Sequence, residues 1–202
     1  MLEVGDAIAL REAGFRQTIL LLEGFFTVDE LPLLAEYEIS SVIHSPQQLA
    51  MLDAYPCRNT LQVWLKINTG MNRLGFAPEQ VPAVMEKLKS HPAIREVTLM
   101  THFSHADEPE GVAEQLELFR GLTAAYRAPC SLANSAALLR YPATHGEWVR
   151  PGIMLYGASP FADVGAQQLG LQPVMKPPSA TASARFAPVA AGTVGLERRL
   201  VA

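Results

Sequence analysis

Leu65-Lys66-Ile67-Asn68-Thr69-Gly70-Met71-Asn72-Arg73-Leu74-Gly75 and Trp148-Val149-Arg150-Pro151-Gly152-Ile153-Met154-Leu155-Tyr156-Gly157 are the stretches on which the fold turns. Each runs an apolar strand straight into a glycine-containing loop that carries an arginine. In an α/β barrel the ends of the strands are where the chemistry sits. Outward from these two stretches, strand-length apolar runs alternate with helical patterns. Residues 18–22, 39–43, 62–68, 97–103, 130–133 and 148–156 read as strands, and 29–38, 46–53, 78–89, 112–126 and 135–140 as helices. Pro46 behind Ser45 is a helix start with its cap. Val81, Val84, Met85 and Leu88 fall on one helical face, as do Leu116, Phe119 and Leu122.

Such alternation implies a parallel sheet with right-handed crossovers, an α/β fold. An open doubly wound sheet competes, but no glycine-rich turn of the GxGxxG type follows any strand. The helical pattern over 6–13 has no strand ahead of it. The expectation is therefore a partial (β/α)8 barrel of TIM type, with about six of its eight units. The barrel should occupy 1–171. The remainder, 172–202, reads as a short irregular tail or linker, because 176–185 is rich in small, turn-prone residues.

Net charge is −4 over 202 residues, with no basic run, which argues against nucleic acid as a partner. The longest apolar runs are of strand length, so no membrane span is expected, and the first residues lack a signal-peptide pattern. Cys57 and Cys130 form no CxxC pair and are expected as reduced thiols of a cytoplasmic protein. His102, His105, Asp107 and Glu108 are close in sequence but match no recognised metal spacing, so no metal is expected.

The strongest chemical signal is a phosphate cup. Barrels commonly bind phosphate in the loops after their last two strands, here 133–137 and 150–153. Ser135 offers a hydroxyl at a helix start, where free amides favour an anion. Gly152 lets the backbone approach, so the Gly152 and Ile153 amides can donate. Arg150 adds a fixed positive charge. Against this stands the plainer reading of Ser135 as a helix cap, Gly152 as a bulge and Arg150 as a surface ion pair. Lys66 alternates with apolar neighbours: Trp64, Lys66 and Asn68 share one strand face and Val63, Leu65 and Ile67 the other. A lysine inside a barrel needs a partner or a modification; the alternative is a solvated edge position. With Arg73 just past the strand end, two neighbouring cations call for something anionic between them.

Leu20-Leu21-Leu22-Glu23-Gly24-Phe25-Phe26, the Lys66–Gly75 segment, Thr101-His102-Phe103 with Ala106-Asp107-Glu108, Ala133-Asn134-Ser135-Ala136-Ala137 and Val149 to Gly157 together resemble alanine racemase in order and spacing, over about residues 2 to 175. The resemblance implies a barrel followed by a β domain, pyridoxal 5′-phosphate as cofactor, alanine as the amino-acid substrate and a homodimer. It places His102, Asn134, Ser135, Arg150, Gly152 and Ile153 around the cofactor, Arg73 at the substrate carboxylate, and Lys66 as the lysine carbamylated in many members. The family's Schiff-base lysine segment and the segment bearing its catalytic tyrosine have no match here. No catalytic base is therefore assigned, covalent attachment of the cofactor is not expected, and the chain is expected to be inactive by itself. The alternatives are a non-catalytic module that binds pyridoxal phosphate or phosphate, and an inert fragment.

Overall fold

The computed structural model describes residues 3–55 and 59–173, and the backbone of 199–200. Cys57, Lys176 and the rest of the expected tail from 174 to 198 lie outside the described residues. The chain runs α1 (Val4–Glu12), β1 (Ile19–Leu21), α2 (Glu30–Glu36), β2 (Ile39–Ile43), α3 (Pro46–Asp53), β3 (Leu61–Lys66), α4 (Val81–Ser90), β4 (Ile94–Met100), α5 (Ala113–Thr123), β5 (Cys130–Ser131), α6 (Ser135–Arg140), β6 (Trp148–Val149) and β7 (Arg199–Leu200). All neighbouring strands pair in parallel, in the order of the sequence. A doubly wound sheet would reverse that order part-way. The succession without reversal is that of a barrel wall.

Register sorts the side chains into two faces. Val42 pairs with Trp64, Trp64 with Thr98, Met100 with Ser131, and Ser131 with Trp148. The opposite phase (Ile19, Ile39, Val63, Leu65, Leu99, Val149) packs on the helices through Leu31, Leu52, Met85, Leu88 and Phe119 in one large cluster. Leu20, Val42, Trp64, Met100 and Trp148 form a second, separate cluster. Across three flat strand spacings β3 and β6 would stand about 14 Å apart. Yet the Trp64 and Trp148 rings lie 5.2 Å apart, tilted by 58°. The sheet is therefore curled into a half-barrel, with the tryptophan pair plugging its interior. With both faces covered, β2 is buried at every position, as strands of a parallel sheet are.

The helix after β2 forms as its sequence dictates: Ser45 Oγ accepts from Gln48 N at 3.4 Å, and Pro46 occupies the first turn, where no amide is needed. The expected strand over 148–156 is corrected. Pro151 has no N–H for the ladder, so pairing stops after Arg150 N donates to Ala133 O at 2.9 Å, and Ile153–Tyr156 coil into a 3-10 turn. Ile153 and Tyr156 are more than half exposed or close to it, at 50% and 58%. Their apolar character imitates a strand without being buried. The strand expected over 130–133 is likewise only Cys130–Ser131.

Candidate functional site

The site lies at the C-terminal ends of β3 to β6. Beyond β3, Phe76 returns alongside Ile67: Asn68 N donates to Phe76 O and Phe76 N to Lys66 O, both at 2.9 Å. Asn68 organises the loop between, its Oδ1 accepting from Gly70 N at 3.1 Å and Asn72 N at 3.0 Å. Gly75 holds φ +123°, and a Cβ there would meet Asn68 N at 2.9 Å and Lys66 O at 3.1 Å. Only glycine closes this turn, and the turn fixes where Lys66 and Arg73 start.

Beyond β6, Arg150 turns to the half-barrel interior. Its Nη1 donates to Ser131 Oγ at 2.5 Å, and its Nη2 to Thr101 O at 2.5 Å and Leu132 O at 3.2 Å. The guanidinium thus ties the ends of β4, β5 and β6 together. All three acceptors are uncharged. Among the described residues the ion pairs are Lys87–Asp53 and Arg140–Asp163, both away from this end.

The charges here repel one another. Burial, then Arg150, then Arg73 lower the Lys66 ammonium to a pKa of about 8, partly opposed by Glu23. Burial, Arg150, Arg73 and Lys66 push His102 down to about 4, so its ring is neutral near pH 7. Burial takes Arg150 to about 10, which leaves it cationic near pH 7. A partly buried collection of cations answered by one carboxylate attracts an anion.

The two loops expected to form a cup do meet. Ser135 Oγ accepts from Gly152 N at 2.8 Å and Met154 N at 3.4 Å. Ser135 is not the helix cap that the plainer reading allowed: Asn134 Oδ1 caps α6, accepting from Ala137 N at 2.9 Å, while Asn134 Nδ2 reaches Phe103 O at 3.4 Å. Nor is Arg150 a surface ion pair or Lys66 a fully solvated edge residue. Lys66, His102 and Arg150 are half-buried and electrically coupled. Arg73 is exposed at the rim, and Ile153 has an exposed side chain. Among the described residues, no group of three or more His, Cys, Asp or Glu side chains could hold a metal.

Sequence reasoning missed the layer beneath: Thr69, Thr101, Ser131 and Gln115, all buried. One signal was available for Gln115. It stands four residues before Phe119 on the buried stripe of α5, where a polar residue needs a reason.

Residues 1–160 match the family model described as alanine racemase, N-terminal domain. The chain is 58% identical over 178 residues to the alanine racemase of Nitrosospira multiformis, covering 87% of this chain and 50% of that protein. It is 45% identical to the catabolic alanine racemase of Klebsiella aerogenes, over 87% of this chain and 49% of that one. The structure matches the biosynthetic alanine racemase of Pseudomonas aeruginosa with TM-score 0.81 and 42% identity, over 85% of this chain and 49% of the other. Against the Acinetobacter baumannii enzyme the TM-score is 0.74, with 38% identity, over 84% and 48%. The chain spans about half the length of the curated relatives it matches.

Proposed function

The chain belongs to the alanine racemase family, and from that premise we propose that it supplies the barrel part of a cytoplasmic protein that interconverts L- and D-alanine with pyridoxal 5′-phosphate, as a homodimer. In this reading 1–171 is the barrel and 172–202 a linker or degenerate start of the β domain, within which Arg199–Leu200 pair with β6. One observation carries it: Arg150, half-buried, held by uncharged acceptors and acting on Lys66 together with Arg73, gathers positive charge at the mouth of the half-barrel.

The donor set fits a phosphorylated ring. Ser135, Gly152 and Ile153, with the start of α6 beside them, would hold the phosphate. His102, neutral near pH 7, would lie against the ring and Asn134 beside the phosphate. Arg150 would face the ring nitrogen and, as a cation, keep a proton off it. Arg73 would engage the substrate carboxylate. When bound, pyridoxal phosphate supplies the electron sink that acidifies the hydrogen on the amino acid's α-carbon. No residue of this chain is assigned as the base that moves that proton.

Lys66 completes the charge balance. With its pKa near 8, a useful fraction is free amine near pH 7. The lone pair of the free amine adds to carbon dioxide and the nitrogen then gives up a proton to solvent, so that, counted from the ammonium, two protons leave and a cation becomes an anionic carbamate. That anion then pairs with Arg73.

The test is a titration of the full chain with pyridoxal phosphate and with pyridoxal, each followed by borohydride and a peptide map. Saturable binding of the phosphorylated form alone, weakened at least about tenfold in Arg150→Met, with no adduct on any lysine, is the expected result. Equal binding of both ligands would remove the phosphate cup from the account. A reduced adduct on Lys66 would make that residue an anchor and not a carbamate.

A further inference from the structure

Gln115 is 8% exposed, and its side-chain amide reaches out of α5 into two loops. Oε1 accepts from Ser104 N and Ser104 Oγ, each at 2.9 Å. Nε2 donates to His102 O at 3.4 Å and to Thr69 Oγ1 at 3.3 Å. Thr69 Oγ1 and Thr101 Oγ1 are 2.7 Å apart, and Thr101 Oγ1 donates to Ile67 O at 3.0 Å. That last bond uses the Thr101 hydroxyl proton, so Thr69 must be the donor between the two threonines. Thr69 then has a free lone pair for Gln115. The chain of donors therefore has one direction, from Gln115 through Thr69 and Thr101 to Ile67 O, and the Thr101 carbonyl in turn accepts Arg150 Nη2.

We propose that Gln115 is the positioning residue of this site: through Thr69 and Thr101 it clamps the loops after β3 and β4 together, and so fixes the carbonyl that holds Arg150 and the peptide that carries His102. The inference rests on the ligand-binding reading above, in which Arg150 and His102 meet the ring. An apolar residue at 115 would fill the space but leave Thr69 and Ser104 to find other partners, and the two loops would separate.

The variants are Gln115→Met, close in volume, and Thr69→Val, which cuts the link at one remove. Ring NMR of His102 against pH reads the site without any ligand. In the wild-type chain His102 titrates near 4; in both variants it moves up by at least about one unit, because water and a displaced Arg150 relieve the penalty on its charged form. Affinity for pyridoxal phosphate falls roughly tenfold. An unchanged His102 titration in folded Gln115→Met, or in Thr69→Val should the first variant not fold, overturns the proposal. If the wild-type chain ignores pyridoxal phosphate while His102 still shifts in the variants, the ligand reading fails and the clamp stands as architecture alone. If the wild-type chain binds and His102 does not shift, the ligand reading survives and the clamp fails.

Discussion

Gly75→Ala should destabilise the protein through one turn. The backbone there holds φ +123°, and the added methyl carbon would meet Asn68 N at 2.9 Å, Ile67 C at 3.0 Å and Lys66 O at 3.1 Å. All three are backbone atoms, so no side-chain rotation relieves the contact. An L-residue in such a conformation costs about 1–3 kcal/mol. Displacing the Asn68–Phe76 and Phe76–Lys66 bonds, each 2.9 Å, adds about 1 kcal/mol. A total near 3 kcal/mol lowers the melting temperature of a chain this size by about 6–12 °C. Gly121→Ala is the internal control. It lies inside α5 with nothing within 4 Å of the added carbon, and should stabilise by about 0.5–1 kcal/mol. Thermal melts by circular dichroism, with urea midpoints for both variants, give the two signs side by side. If Gly75→Ala melts with the wild type, or shifts in the same direction as Gly121→Ala, the claim that this turn requires glycine is wrong.

Three more outcomes follow from the same geometry. His102 is held at about 4 against an ordinary 6.5, so the unfolded chain binds the extra proton between those values. Stability is lost as pH falls from 6.5 towards 4, by about 3 kcal/mol at most, and His102→Asn should flatten that acid limb in urea titrations. Lys66, lowered from 10.5 to about 8, makes stability rise with pH across that window, since the unfolded chain holds the proton longer; Lys66→Met should remove the rise, and a wild-type curve without one would contradict the crowding of cations. Asn134→Ala removes a cap and the bond to Phe103 O, costing about 1–2 kcal/mol in chemical denaturation; a loss no larger than that of an exposed Asn→Ala control would contradict the capping role.

Much of the frame was legible because local signals agreed with one another. The apolar run at β2 and the Ser45-Pro46 start of α3 fall where the pattern places them, since a strand buried on both faces and a capped helix are local facts. Lys66, His102 and Arg150 were legible as residues at strand ends, which point to a barrel's mouth. The end of β6 was misread because Ile153, Leu155 and Tyr156 are apolar and exposed, and periodicity reports apolarity, not burial. Gln115, for all its place on the stripe of Phe119, and Thr69 were passed over for the opposite reason. Their partners are 46 residues apart in sequence, and a glutamine on an amphipathic helix reads as surface until the facing loop is known.

The same device recurs around the mouth of the half-barrel. Gln48, from α3, donates to Glu23 O at 3.3 Å and Phe25 O at 3.1 Å while its Oε1 accepts His44 N at 2.8 Å, joining the loops after β1 and β2. Gln115 joins the loops after β3 and β4, and Ser135 those after β5 and β6. Each of these three pairs of loops is held by one buried polar side chain from the helix between or after them. Arg150 then spans from β6 to Thr101 at the end of β4. Mutual repulsion would drive Lys66, Arg73 and Arg150 apart if their loops could move, as the lowered Lys66 pKa records. Buried amides and hydroxyls are suited to resist this, because they fix a backbone without neutralising the field above it. A carboxylate in their place would pair with the arginine and cancel the attraction for an anionic ligand. Uncharged staples beneath a cationic rim therefore keep the site both rigid and electrically unsatisfied, which is the state from which a phosphorylated ligand gains most on binding.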